Sequence, residues 1–187
     1  MNNPRDWHRY TKSIKDGTIS TSKELNRFAA RYRIGTSLKS IDFSEVSVNT
    51  SQGYLVALRL ALAYSTLETL EMSIDKKVGF TEVMNPEIAE KIRLLGRKKF
   101  LPLLLAEIDN KKLIIKVERF TREESDDIRT IAQAVRHLTF HGTLTPHGSG
   151  LTQSIGLRKA LDKSSEEIYR TVDQRFSDWL KINLESQ

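Results

Sequence analysis

From residue 52 onward the apolar positions of this chain recur at helical spacing, segment after segment, with polar interruptions between them. The longest segment is "QGYLVALRLALAYSTLETLEMSID" (52–75). Tyr54, Leu55, Val56, Leu58, Leu60, Ala61, Leu62 and Tyr64 fall on nearly every side of its first half, and a helix apolar all round must be covered all round. This predicts a central helix or one that also lies in an oligomer interface, with the second favoured in part. The next segment, "PEIAEKIRLLGRKKFLPLLLAEID" (86–109), opens with Pro86 at a first helical position. Gly96 and Pro102 interrupt it, so a kink or break is expected near Phe100.

In "TREESDDIRTIAQAVRHLTFHG" (121–142) the acidic residues 123, 124, 126 and 127 are read as the first turns of a helix, where the dipole favours negative charge. Ile128, Ile131, Ala132, Val135 and Leu138 form its inward stripe, and Gly142 stands where a left-handed cap wants glycine. A last helical region runs from Leu151 to Asn183. A break is expected in it near "DKSSEE", where Ser164 or Ser165 can cap a second segment carrying Ile168, Val172, Phe176 and Trp179.

Residues 1–50 differ. They are rich in Ser, Thr, Asn, Lys and Arg and read as a polar arm with one short helix, "STSKELNRFAARYRIG". Thr21 or Ser22 can cap that helix and Gly35 can end it, while Leu25, Phe28, Ala29 and Tyr32 form one apolar stripe. "TSLKSIDFSEVSVNTSQG" reads as a loop or a short strand, and "KKLIIKVERF" (111–120) is β-branched enough to be read as a strand, with a helix as the alternative. The expectation is an all-α fold: a four-helix-bundle-like core over 51–187, an extra N-terminal helical segment over 1–50, and room for a short strand or hairpin.

Composition narrows the function classes. The chain has 187 residues, 39% apolar and 29% charged, with no cysteine, so disulfide scaffolds, thiol nucleophiles and thiolate zinc sites are excluded. No stretch approaches the roughly 18 consecutive apolar residues of a membrane span, and the polar start "MNNPRDWHRY" lacks the apolar core of a signal peptide. A cytoplasmic protein is expected. The formal charge of +6 suits an anionic partner such as nucleic acid without specifying one.

The densest chemical text is "AVRHLTFHGTLTPHGSGL" (134–151), which holds Arg136, His137, His141 and His147. At about 100° per residue, Arg136 lies on the flank of the apolar stripe, and His137 and His141 lie near the outward face with Phe140. Arginine offers a permanently charged fork of donors to phosphate oxygens. Histidine exchanges protons near neutrality. Together they form a minimal set for RNA cleavage, in which a base removes the 2′-hydroxyl proton and the guanidinium stabilises charge on the phosphoryl group. Simpler roles stand beside this one: Arg136 paired with a carboxylate of a neighbouring helix, and His141 capping its own helix. The i, i+4 histidines could share a metal, but no third ligand is signalled and Arg136 lies alongside, so neither metal nor other cofactor is expected. "GRKKF" (96–100) and "NRFAARYRIG" (26–35) are further basic stretches with aromatic neighbours, and Glu68 and Glu71 are read as polar surface within reach of the cationic cluster.

"RHLTFH", followed by Gly142, resembles the motif of HEPN domains, a superfamily of helical ribonuclease and RNA-binding modules. Their pattern is an arginine, a polar residue after it, and a histidine four to six positions on. The long upstream "LVALRLALAYSTLETLE" looks like the first core helix of such a domain, and the resemblance spans residues 52–180. It implies a four-helix bundle that pairs as a homodimer, with the two motifs facing each other across the interface to form a composite, metal-independent endoribonuclease site. Arg136 and His141 would carry catalysis and His137 the supporting polar place. It further implies RNA as substrate, a toxin–antitoxin or defence setting with an antitoxin or other protein partner, and, as the alternative, a catalytically inactive RNA- or protein-binding module. Thr143 stands two residues after the histidine, where toxins paired with a small nucleotidyltransferase often carry tyrosine.

Overall fold

The computed structural model describes residues 3–74 and 81–185. Among them every regular element is a helix: α1 (Trp7–Lys15), α2 (Lys23–Ser37), α3 (Val48–Ile74), α4 (Pro86–Gly96), α5 (Phe100–Glu107), α6 (Lys111–Thr121), α7 (Ile128–Phe140) and α8 (Ile155–Glu185). No helix among the described residues is long and apolar enough to cross a membrane.

The all-round apolar helix is the centre of the molecule. α2, α7 and α8 surround α3, α4 lies on α8, and α5 and α6 complete the side of α7. Leu60, Ala61, Ala63, Tyr64, Leu67 and Leu70 of α3 are buried, so one chain covers most of this helix, while Tyr54, Leu58 and Leu62 stay half-buried. Facing it are the inward stripe of α7 (Ile128, Ile131, Ala132, Val135, Leu138) and that of α8 (Leu161, Ile168, Val172, Phe176, Leu180), all buried. Close approach depends on small residues. A Cβ at Gly35 would lie 1.8 Å from the Tyr169 hydroxyl. Gly35 therefore does not end α2, which runs two residues further; it lets α2 and α8 touch.

The first fifty residues hold two helices where one was expected. The second is capped by Ser22, whose hydroxyl accepts from the Leu25 amide at 3.2 Å. Both contribute to the common core. Tyr10 and Phe28 are fully buried and meet Phe176 of α8 at ring-centroid distances of 5.9 and 5.4 Å. Aromatic burial of this size ties the N-terminal segment to the end of α8.

Two local expectations give way. "KKLIIKVERF" is helical rather than a strand: Asn110 caps α6 by accepting from the Leu113 amide, and Leu113, Val117 and Phe120 make one buried stripe at i, i+4 and i+7. A strand there would have had no partner for its backbone. Of the two readings given for the stretch before α3, the loop holds over 38–47. α8 continues unbroken through "DKSSEE", because the buried Ser164 and Ser165 hydroxyls donate back to the carbonyls of Ala160 and Leu161 at 3.0 and 3.2 Å. The break between α4 and α5 falls where expected, at residues 97–99. Asp75, the expected end of the central helix, lies outside the described residues.

Candidate functional site

α7 begins one residue after Asp127, not over the acidic run 123–127. The Asp127 carboxylate accepts from the amides of Arg129 at 3.1 Å and Val83 at 2.8 Å, so it caps the helix and ties it to the segment entering α4. Thirteen residues later α7 ends at the C-cap His141, with Gly142 left-handed at φ 76°. The cationic cluster thus sits in a last turn whose register is set at both ends.

Within that turn the side chains form two i, i+4 pairs. The Arg136 guanidinium lies over the Phe140 ring, 5.7 Å from its centroid. The rings of His137 and His141 lie 4.5 Å apart, tilted 51°. The two pairs lean to different neighbours. Arg136 faces α3, with its terminal nitrogen 3.7 Å from a Glu68 carboxylate oxygen. His137 faces the junction of α5 and α6, with Nε2 2.9 Å from Asp109 Oδ1. One chain therefore brings His137 and His141 together and leaves Arg136 on the adjoining flank. The Arg136 contact is long for a hydrogen bond and its side chain is 40% exposed, while its Nε is buried without a hydrogen-bond partner. Phe140 beside it is also exposed.

Glu71 behaves differently from the surface carboxylate expected. It is buried, accepts from Arg129 at 3.1 and 2.7 Å in a two-pronged pair, accepts from the Thr81 amide at 2.8 Å, and lies 3.7 Å from an Arg175 nitrogen. The Arg129 guanidinium also lies over the Tyr64 ring at 5.6 Å. This cluster, absent from the sequence reading, locks α3, α7 and α8 together beneath the candidate site. Its only sequence signal is spacing: Glu68 and Glu71 lie one turn apart on α3, and Arg129 and Arg136 two turns apart on α7.

The remaining basic residues divide. In α2, Arg31 is engaged by Thr69 and Arg33 by Asn3. Lys98 and Lys99 line an open groove with Leu95, Gly150 and Gln153, where Lys99 Nζ meets Gln153 Oε1 at 2.8 Å. His147 and His8 are exposed. Among the described residues no three or more His, Asp or Glu side chains converge as a metal-ligand set. What remains at the end of α7 is a partly exposed guanidinium, a touching pair of imidazoles and a carboxylate on one of them. No protein-family model matches this chain, and neither a curated protein nor a solved structure does.

Proposed function

We propose that this chain is a HEPN-type, metal-independent endoribonuclease that works as a homodimer, in a toxin–antitoxin or defence role. The observation that carries the reading is the end of α7, where the partly exposed Arg136, not hydrogen-bonded to Glu68, stands beside the contacting His137 and His141. Imidazole removes the 2′-hydroxyl proton, and the guanidinium neutralises charge gathering on the phosphoryl oxygens. Arg136 and His141 lie about 140° apart around α7, so a second copy packed across this helix end supplies the arginine opposite the histidines.

Labelled RNA incubated with the purified protein in the presence of chelator should yield fragments ending in 2′,3′-cyclic phosphate. Arg136→Ala and His141→Ala should each abolish them while helicity and dimer mass stay unchanged. Mixing the two inactive variants after partial unfolding and refolding should restore about a quarter of the activity. Half of the dimers are then mixed, and each mixed dimer holds one site with both groups intact. No recovery on mixing would remove the shared site, and undiminished cleavage by the double variant would remove the mechanism.

The 3.7 Å approach of Glu68 to Arg136 favours one rival reading: a catalytically inactive module in which the arginine is partly neutralised and the surface only binds RNA or a protein. That module would bind RNA in a salt-sensitive way and release no product.

A further inference from the structure

Asp109 stands in the short turn between α5 and α6. Its backbone is held from both sides, by the buried Ile108 before it and by Asn110, which caps α6, after it. The carboxylate is 83% exposed, yet it reaches His137 Nε2 at 2.9 Å. An exposed pair of this kind adds little to stability. Its chemical effect is larger. An ionised carboxylate can only accept, so the ring hydrogen sits on Nε2 and the neutral ring presents Nδ1 as its lone pair. The second imidazole, His141, is exposed at the C-cap with its ring 4.5 Å away, and the two rings are tilted rather than stacked flat, so their edges point in different directions.

We infer that His137 and His141 of one chain form a general-base and general-acid pair for phosphodiester cleavage, with the Asp109 carboxylate as a positioning group for His137. This rests on the ribonuclease reading above and changes the place of His137 within it, from support to catalysis. His137 Nδ1 takes the proton of the 2′-hydroxyl as O2′ bonds to phosphorus. The bond from phosphorus to O5′ breaks, and protonated His141 delivers its proton to O5′. The products are a 2′,3′-cyclic phosphate and a free 5′-hydroxyl, and the two protons re-equilibrate through water. Asp109 fixes the ring orientation and tautomer and stabilises the imidazolium that forms. Two proton-transfer groups are thus complete within one chain, and only the guanidinium has to come from elsewhere.

The test uses two substrates: an RNA oligomer, and the same oligomer ending in a 3′-p-nitrophenyl phosphodiester, whose leaving group departs without needing a proton. His141→Ala should lower cleavage of RNA about 10²–10⁴-fold yet release p-nitrophenolate at close to the wild-type rate. His137→Ala, with His137→Gln as a second form, should lose a similar factor on both substrates. Asp109→Asn should lower kcat roughly tenfold with KM unchanged, and Asp109→Glu should recover most of it, a pattern that loss of packing would not produce. Far-UV circular dichroism verifies that each variant is folded. Equal losses on both substrates for His137→Ala and His141→Ala, or full activity in the His137 and Asp109 variants beside an active wild type, overturn the pair alone. A wild-type protein that leaves both substrates intact overturns the ribonuclease reading and this inference with it.

Discussion

Replacing Glu71 by leucine should be among the most damaging single changes in the protein, and replacing its partner as well should undo most of the damage. The Arg129 side chain is 6% exposed and Glu71 4%, and Arg129 places two nitrogens on the carboxylate at 2.7 and 3.1 Å. Glu71→Leu leaves a buried guanidinium without its two-pronged carboxylate, while the Thr81 carbonyl still accepts from it. Breaking a buried pair from one side costs about 3–5 kcal/mol, because the surviving charge stays desolvated. For a chain of this length that corresponds to a fall in Tm of roughly 6–20 °C. In Glu71→Leu with Arg129→Met both charges are gone and apolar atoms occupy similar volume. The residual cost includes the backbone N–H and C=O of Thr81 losing their partners, about 1 kcal/mol each, reduced because Thr81 is only half-buried. Arg175, 21% exposed, then turns to solvent. The double variant should therefore be about 2 kcal/mol or more better off than the sum of the singles. Urea unfolding followed by circular dichroism, extrapolated to water, measures all four corners of the cycle. Single variants costing under about 1 kcal/mol, or a double variant matching the sum of the singles, would show that the pair does not hold these three helices as described.

Gly35→Ala should destabilise by about 1–3 kcal/mol, since the added carbon meets the Tyr169 hydroxyl at 1.8 Å; Tyr169→Phe in the same chain should return part of that, read as a rise in melting temperature over the single variant. Burial pushes the hydroxyls of Tyr64 and Tyr169 up to about 12, above the tyrosine value near 10 that an unfolded chain shows. The folded state then holds protons that the unfolded state releases, so this contribution is complete below pH 10 and is lost as pH rises toward 12; urea midpoints should fall over that range and fall less in Tyr169→Phe, and a flat profile would count against the burial. RNA affinity should decline steeply between 50 and 200 mM salt, and Arg136→Ala should make the slope of log affinity against log salt shallower by about one, as filter binding at several salt concentrations would show.

Helical periodicity carried most of the architecture. The stripes of α2 and α7 are legible because they repeat over two or more turns, α3 because it is apolar nearly all round, and the α4–α5 break because proline and glycine act locally. Where the sequence misled, two local signals competed and a tertiary one decided. Ile114, Ile115 and Val117 favour a strand by their branching, but Asn110 and the buried Leu113, Val117, Phe120 stripe settle α6 as a helix. Ser164 and Ser165 look like caps, but inside a packed α8 their hydroxyls find carbonyls one turn back. At the site, Arg136, His137 and His141 stood out because they are neighbours in sequence. Asp109 and Glu71 did not: a carboxylate that meets its partner across 28 or 58 positions leaves no local trace, and acidic residues are read as surface by default.

The two arginines of α7 show how one helix face can be used in two ways. Arg129 and Arg136 are seven residues apart, so they fall within about 20° of each other around α7 and both turn to α3. α3 answers with Glu71 and Glu68, one turn apart and running the opposite way, so the pairs are successive rungs of one ladder. The lower rung is closed, with a two-pronged contact at 2.7 and 3.1 Å in the interior. The upper rung stays open at 3.7 Å, with 40% of the arginine side chain in water and an aromatic ring beneath it. The difference follows burial: the lower pair is shut away from water, whereas closing the partly exposed upper pair would add little, and Glu68 already accepts from the Tyr64 hydroxyl at 3.3 Å. On the ribonuclease reading proposed above, Arg136, drawn to Glu68 without a hydrogen bond to it, would turn its terminal nitrogens to a phosphate that approaches the end of α7. The buried rung sets the distance and angle between the helices, and the open one uses that placement at the surface.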